Sequence, residues 1–167
     1  VQVHGDGNIL SEEHLVRGNA DEKIKNSKYV VTNHYSTPAT EHAFLEPETA
    51  VALMEGDIVR IYSGDQGAYQ TQKECAEMLG LAPEKVRVTT KMVGGGFGGK
   101  EDMSVQHFAA LAAYCTKKPV KVSLSRDESI LTHPKRHAME MDFTTACDEN
   151  GYLTAMKAVI VSDTGAY

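Results

Sequence analysis

The sequence predicts an α+β domain, a mixed α/β arrangement with a mixed sheet, two main helices and a long C-terminal β-hairpin. Two windows repeat apolar residues at the spacing of an amphipathic helix. Several other windows alternate apolar and polar residues, as half-buried strands do. Residues 148–151, Asp-Glu-Asn-Gly, form a strong hairpin signal between two long strand patterns. Because helix and strand patterns do not alternate regularly, a plain array of βαβ units is not expected.

The chain divides into a polar N-terminal part and a patterned remainder. Residues 1–28 contain several glycines and many charges, which predicts an extended segment, and residues 29–167 predict the folded domain. Two prolines bracket a loop at 36–48. The predicted strands cover 29–35, 50–54, 58–63, 86–93, 120–124, 136–147 and 152–163, and a short helix or turn is expected at 126–129.

The two main helices are predicted from their apolar stripes. The first covers 70–79 and ends at Gly80, a residue that commonly follows a helix. The second begins near Met103 and ends before Pro119. The expected buried stripes are Tyr69, Gln72, Cys75, Ala76 and Leu79 in the first helix, and Val105, Phe108, Ala109, Ala112 and Cys115 in the second.

The composition indicates a soluble globular protein, with 41% apolar and 24% charged residues among 167. A net charge of −6 argues against a nucleic-acid partner, and no apolar run is long enough for a membrane span. The three cysteines are widely spaced and lack a zinc-binding pattern, which predicts reduced thiols and a cytoplasmic protein. Since the chain begins at Val1 and ends at Tyr167 directly after a strand pattern, we expect a piece of a longer protein.

The most distinctive stretch is the glycine-rich run at 94–100, Gly-Gly-Gly-Phe-Gly-Gly-Lys, between a predicted strand and a predicted helix. Glycine allows positive φ and close approach of the backbone to a ligand. Several amides that point the same way form a site for anions or electron-rich oxygens. A flexible linker is the alternative, but linkers are usually rich in serine and polar, whereas here Phe97 lies inside the run.

A nucleotide-binding loop is a second interpretation of the same residues. Gly94-x-Gly96-x-x-Gly99 fits the GxGxxG pattern, and Asp127 follows the next predicted strand. Asp127 comes later than the roughly 20 residues expected for the acid that binds the ribose. The motif also follows several strands, and Glu101 and Asp102 would lie beside the pyrophosphate. A third interpretation is a non-catalytic scaffold in which the loop only packs a helix on a sheet.

Read whole, the heptad at 94–100 resembles a hallmark of the molybdenum-hydroxylase family, which includes xanthine dehydrogenase and aldehyde oxidoreductase. Other segments are similar to that family in order and spacing. They are Glu-His-Ala-Phe-Leu-Glu at 41–46, Ser-Gly-Asp-Gln at 63–66, Lys-Val-Arg-Val at 85–88, the stretch 119–128, and Ser-Asp-Thr-Gly-Ala-Tyr at 162–167. The resemblance covers nearly all of residues 12–167 and is closest to bacterial purine or xanthine dehydrogenases, including selenium-dependent members.

The resemblance implies that residues 29–167 are part of a molybdopterin cofactor-binding domain, truncated at both ends. The expected activity is hydroxylation of a purine or related N-heterocycle with oxygen from water, in purine metabolism. The expected cofactors are molybdopterin, as the cytosine dinucleotide, with molybdenum, together with iron–sulfur clusters and FAD elsewhere in the complex. The expected partners are the rest of the molybdenum subunit, iron–sulfur and flavin subunits or domains, and a small heterocyclic substrate, without nucleic acid or membrane. An aldehyde oxidoreductase of the same family is the alternative.

The resemblance also assigns site residues. Phe97 and Glu101 are expected to bind substrate, and the backbone of Phe97 is expected near the metal ligands. The N–H groups of Phe97, Gly98 and Gly99 are expected to face the metal side. The cofactor-binding residues are Gly95, Gly96, Phe97, Gly98, Gly99, Gln66 and Thr40.

Two side chains bear on the substrate. A glutamate after Gly-Gly-Lys is typical of purine-oxidising members, so Glu101 favours an N-heterocycle; a glutamate that merely favours a helix N-terminus is the alternative. Thr40 stands where xanthine dehydrogenases have a glutamine that contacts the metal's oxo ligand, so the substrate need not be xanthine. His42 is expected to be structural, since no partner ligands have suitable spacing. No catalytic residue is expected in this chain, because the family's catalytic glutamate lies beyond Tyr167.

Overall fold

The protein is described here by a computed structural model that covers residues 7–165. Two compact units are present: the hairpin unit, formed by residues up to 40 together with those from 136 onward, and the loop unit, residues 41–135. The helices are α1 (Ala20–Asn26), α2 (Ala68–Leu79), α3 (Gln106–Thr116) and α4 (Arg126–Thr132). The strands are β1 (Tyr29–Thr37), β2 (Thr49–Glu55), β3 (Ile58–Ser63), β4 (Val86–Thr90), β5 (Val120–Ser123), β6 (Ala138–Cys147) and β7 (Leu153–Asp163).

The hairpin unit is a three-stranded antiparallel sheet in the order β1-β6-β7. Strand β6 lies in the centre, with Tyr29 opposite Cys147 on one side and Asp142 opposite Val159 on the other. The turn between β6 and β7 closes through Asp148, whose carbonyl accepts the N–H of Gly151 at 3.2 Å. This arrangement confirms the predicted long C-terminal hairpin.

The loop unit has a four-stranded sheet in the order β4-β3-β2-β5. Strands β3 and β4 are parallel and the other pairs are antiparallel, so the predicted mixed sheet is confirmed. Helices α2 and α3 contact one face of this sheet and are the two longest helices of the described chain, as predicted. Small side chains let them approach closely; the core contains Ala50, Ala52, Val59, Ile61, Cys75, Ala76, Val86, Val105, Ala109, Ala110 and Ala113.

The N-terminal segment differs from the extended conformation that the sequence predicted, because it contains helix α1. The Asn19 side chain accepts the Glu22 N–H at the helix start, acidic residues occupy the first turn and lysines the last. Capping and charge placement of this kind stabilise a short helix without an apolar stripe. The predicted boundary between 28 and 29 stays a prediction about the family domain.

Strand β4 is shorter than predicted and ends at Thr90 instead of Val93. Its partner strand β3 ends at Ser63, which pairs with Thr90, so the later residues have no ladder to join. The second main helix begins at Gln106, three residues later than the predicted start near Met103.

The buried faces of the two main helices are also shifted from the predicted stripes. Tyr69 is exposed because Thr71 turns inward and donates its hydroxyl to Asp65 at 2.8 Å. In α3, Phe108 and Cys115 are exposed. The alanines on the adjacent face are buried instead, because they permit closer contact with β2.

The topology does not support the nucleotide-binding interpretation. Strands β4 and β5 flank α3 in sequence but lie at opposite edges of the sheet, whereas a nucleotide-binding βαβ unit joins neighbouring strands. Helix α3 also starts well after Gly99, so the glycine run is not its first turn. Within residues 7–165, no helix has the length and apolar character needed to cross a bilayer.

Candidate functional site

The glycine run folds into a compact loop, the glycine loop (residues 94–100), after strand β4. Its last part turns back on itself, since the N–H of Gly99 donates to the Gly96 carbonyl at 2.8 Å. The loop is contacted by Glu46, Gln66 and His133, which lie in two other loops and at the end of helix α4, all within the loop unit. Hydrogen bonds to residues on three other segments hold the loop in place, which excludes a flexible linker.

Glu46 joins both ends of the glycine loop. Its Oε2 accepts the Gly94 N–H and the Lys100 ammonium, each at 2.8 Å. The Glu46 N–H in turn donates to the Gly94 carbonyl at 3.1 Å. Lys100 is only 3% exposed, and its ammonium lies 4.5 Å from the centre of the Phe44 ring. Its charge is thus balanced by a carboxylate and an aromatic face.

The ion pair changes the ionisation of Glu46. Partial burial alone would raise the pKa of this carboxyl, but the hydrogen bonds from Lys100 and the Gly94 amide outweigh burial. The net result is a pKa below the ordinary 4.5. Glu46 therefore stays ionised, and holds the loop, down to mildly acidic pH.

Gln66 binds the other side of the loop. Its side-chain oxygen accepts the N–H groups of Gly98 at 3.2 Å and Lys100 at 3.1 Å, and its own backbone N–H donates to the Lys100 carbonyl at 2.9 Å. The N–H groups of Gly98 and Gly99 are thus directed at acceptors within the chain. The family resemblance implied that they would face a metal.

The inner face of the loop is closely packed. A methyl group at Gly96 would overlap the Gln66 amide, and one at Gly99 would lie 2.7 Å from His133 Cε1 and 2.8 Å from the His42 ring. At Gly98 nothing lies within 4 Å of such a methyl group, and glycine is required there only by its φ of +88°. The open face of the loop is therefore at Phe97 and Gly98.

Phe97 stands out on this open face. It is 65% exposed, and its φ of 56° is unusual for a bulky residue. Strained backbone of this kind is maintained at functional sites when the surrounding contacts impose it. With this exposure, Phe97 does not anchor the loop in an apolar core.

Glu101 follows the loop directly. Its side chain is exposed and makes no hydrogen bond or ion pair with any residue in the described part of the chain. A carboxylate in this position can accept or donate a hydrogen bond, depending on its proton. Glu101 is also not in the first turn of a helix, because α3 starts at Gln106.

A partly buried polar cluster contacts the inner face of the loop. His133 Nε2 lies 2.6 Å from the Gly99 carbonyl oxygen, and His133 Nδ1 lies 3.5 Å from Glu41 Oε1. The Lys135 ammonium lies 2.6 Å from Glu41 Oε2. Burial alone would raise the pKa of Glu41, but hydrogen bonds from Lys135 and the Ala43 amide bring it below its ordinary value.

Glu41, His42 and His133 present ligand atoms within 4.8 Å of one another, a spacing that a metal ion could contract. The Lys135 ammonium already supplies a cation to Glu41, and one ring nitrogen of His133 is committed to Gly99. The structure thus brings a carboxylate and a second histidine to His42, for which the sequence predicted no partner ligands, and the structural role of His42 stays a prediction. The sequence did not predict His133 as its partner.

The remaining predicted residue lies in the other unit. Thr40 belongs to the hairpin unit, where its exposed hydroxyl donates to the Pro38 carbonyl at 3.0 Å and its carbonyl accepts the Arg136 N–H at 2.9 Å. Its contact with a metal ligand stays a prediction. The structure thus brings together Gln66, the loop glycines and Phe97, with Glu101 directly after them.

An open cavity of about 480 Å³ adjoins the loop unit's sheet, and Glu46, which is bonded to the glycine loop, is one of its lining residues. None of the predicted site residues lines it. The lining consists of Glu46, Thr49, Val51, Tyr62, Ser63, Gly64 and Lys91.

The chain is similar to known proteins over nearly its whole length. Residues 3–167 match the family profile described as the molybdopterin cofactor-binding domain. The chain is 40% identical over 166 residues to the nicotinate dehydrogenase large molybdopterin subunit of Eubacterium barkeri, covering 99% of this chain and 39% of that protein. It is 35% identical over 170 residues to the xanthine dehydrogenase molybdenum-binding subunit of Escherichia coli O157:H7, covering 99% of this chain and 22% of that protein.

Among solved structures, the fold is similar to that of the aldehyde oxidoreductase from Desulfovibrio gigas. The TM-score is 0.76 at 24% identity, covering 87% of this chain and 16% of the other. The chain thus spans about two fifths or less of the length of these relatives.

Proposed function

The chain belongs to the family of molybdopterin cofactor-binding domains, and from this premise we propose that its glycine loop holds the molybdenum cofactor of an N-heterocycle hydroxylase. The observation that carries the proposal is the contrast between the two faces of the loop. Contacts with Glu46, Gln66 and His133 fix the inner face, while Phe97 and Gly98 leave the outer face open.

The residues present fit such a group. A rigid, glycine-lined edge lets a flat, polar cofactor approach the backbone closely. The contacts on the inner face are made by residues of this chain, so holding the loop in shape would not depend on the cofactor itself. When bound, the cofactor supplies the two-electron oxidation and the transfer of a water-derived oxygen to a ring carbon. Gly95, Gly96, Phe97, Gly98 and Gly99 would form the edge beside it, and Gln66 would hold that edge in shape.

Glu101 would orient the substrate in this scheme. Its carboxyl is exposed and makes no polar contact with the rest of the described chain, so it can bond to a ring nitrogen or a ring N–H. Phe97 would supply an apolar surface beside the ring, since its side chain extends from the open face. Neither residue acts as the catalytic base; the family resemblance assigns that role to a glutamate outside these residues.

The wider assembly is part of the proposal. We assign the chain to a larger molybdenum subunit of a cytoplasmic enzyme, with the cofactor in its cytosine dinucleotide form and with iron–sulfur and flavin partners that receive the electrons. The names of the two curated relatives, a nicotinate and a xanthine dehydrogenase subunit, support a heterocyclic substrate.

The test uses the full-length molybdenum subunit purified with its partners. Elemental analysis is expected to give about one molybdenum per subunit. Turnover is then measured with hypoxanthine, xanthine, nicotinate and an aromatic aldehyde, and the proposal expects at least one heterocycle to be oxidised far faster than the aldehyde. A protein without molybdenum would refute the cofactor assignment, and preference for the aldehyde would refute the substrate class.

A further inference from the structure

We infer that His133 is a positioning residue that fixes the glycine loop through the carbonyl of Gly99. His133 is only 6% exposed, and its Nε2 lies 2.6 Å from the Gly99 oxygen. A carbonyl oxygen only accepts hydrogen bonds, so Nε2 carries a proton and donates it. The bond joins the end of helix α4 to the C-terminal part of the loop, 34 residues away in sequence.

The His133 ring also limits how the loop can move. It lies edge-to-face against His42 and Phe44, with ring centres 5.0 and 5.2 Å apart. A Cβ on Gly99 would lie 2.7 Å from the ring, so the loop backbone rests directly on it. Any shift of Gly99 toward the core would collide with the ring, and a shift away would break the 2.6 Å bond.

Two carboxylates lie beside the ring. Glu41 Oε1 lies 3.5 Å from Nδ1, and Glu48 Oε1 lies 3.9 Å from Nε2. Both oxygens of Glu48 are buried without a hydrogen bond to the described residues, and so is Nδ1 of His133. Neither carboxylate is hydrogen-bonded to the ring, so the polar contact that ties His133 to the loop is the Nε2 bond to Gly99.

Helix α4 delivers His133 to this place. His133 is the C-cap residue, and its N–H donates to the Ser129 carbonyl at 2.9 Å. At the other end of the helix, Arg126 donates to the carbonyls of Phe44 at 2.6 Å and Leu45 at 2.9 Å. The helix thus holds both the segment that carries Glu46 and the loop that Glu46 closes.

The consequence concerns Phe97, Gly98 and Glu101, which lie within two residues of Gly99. In the proposed function these residues contact the cofactor and the substrate, and the inference rests on that function only in this last step. His133 itself contacts neither and acts through the loop.

The experiment uses two matched polar variants of the full-length protein. The side-chain nitrogen of His133→Gln reaches the position of Nε2 and keeps the donor, whereas that of His133→Asn is one methylene too short. Hydrogen exchange is measured by mass spectrometry on peptides covering 94–102, with His14→Asn, an exposed residue, as the control. The loop amides are expected to exchange about tenfold faster in the Asn variant and to stay near wild type in the Gln variant and the control.

Equal exchange in the Gln and Asn variants, whether both fast or both slow, would overturn the inference. In the molybdenum-loaded enzyme, the kcat of the Asn variant is expected to fall by a larger factor than its KM changes. The kcat of the Gln variant is expected to stay near that of the wild type. If the wild-type protein held no molybdenum, the proposed function would fail, but the exchange result would still decide the role of His133.

Discussion

Phe97 combines a left-handed backbone with an exposed aromatic ring, and both features are costly in a folded protein. The strained φ costs on the order of 1–3 kcal/mol, and the exposed ring adds no core burial. In the proposed function, contact of this ring with the substrate explains the combination.

This explanation predicts opposite effects on stability and on turnover. Phe97→Gly relieves the backbone strain and should leave the free energy of unfolding unchanged or raise it by up to about 1 kcal/mol. The same change should lower kcat/KM for a heterocycle, because the apolar surface beside the ring is lost. Denaturant unfolding and steady-state kinetics measure the two effects. A loss of stability without loss of turnover would show that Phe97 is structural.

Glu101 allows a clean test of substrate binding, because its carboxylate makes no contact that stabilises the described chain. Glu101→Val should leave the unfolding free energy within about 0.5 kcal/mol of wild type. It should lower kcat/KM for the heterocycle by an amount equivalent to about 2–4 kcal/mol, the usual loss for a donor that acts in the transition state. Glu84→Val, another exposed glutamate of the same unit, is the control. Unchanged turnover in the Glu101 variant would favour the scaffold interpretation.

The sequence predicted Phe97 and Glu101, which lie in and directly after the heptad, and the family resemblance added Gln66, which bonds the loop from 32 residues away. Glu46 and His133, which also contact the loop from distant parts of the chain, were missed. Glu46 acts on Gly94 across 48 residues, and His133 acts on Gly99 across 34. No local periodicity encodes such pairs. The only signal was the Glu-His…Leu-Glu segment at 41–46, which predicted a loop but not its target.

At the scale of elements, α4 is the short helix on which the loop depends. Its first turn has a capping box, in which Ser125 accepts the Glu128 N–H at 3.2 Å and Glu128 accepts the Ser125 N–H at 2.7 Å. Ser125→Ala should lower the free energy of unfolding by about 1 kcal/mol. Denaturant titration measures this, with the exposed Ser11→Ala as the control. Equal stability of the two variants would mean that packing alone forms the helix.

The loop closure by Glu46 has a pH dependence whose sign follows from its lowered pKa. A carboxyl with a folded-state pKa below the unfolded value contributes stability above the unfolded value of 4.5 and loses it as pH falls through the folded pKa. Below pH 4.5 the wild-type protein should therefore lose stability partly through Glu46. Glu46→Gln should be less stable at neutral pH and show a shallower acid decline. Unfolding free energies at several pH values measure both effects, and parallel curves would contradict the account.

The elements themselves were largely predictable, because strand alternation and helix stops are local. What the sequence could not give was the exact buried face of each helix. Thr71 turns inward because its hydroxyl donates to the buried Asp65 carboxylate. In α3, contact with β2 determines that the alanine face is buried. Likewise, β4 ends at Thr90 because its partner strand ends, which no property of residues 91–93 reveals.

For the whole molecule, the matches establish the family but not the substrate, since the chain covers two fifths or less of its relatives. The proposed role of the glycine loop therefore depends on where the metal lies relative to it. X-ray diffraction at the molybdenum absorption edge, from crystals of the full-length loaded protein, locates that metal directly. One molybdenum peak is expected beside the backbone of Phe97 and Gly98, on the open face of the loop. A peak elsewhere, with the loop facing bulk solvent, would contradict it.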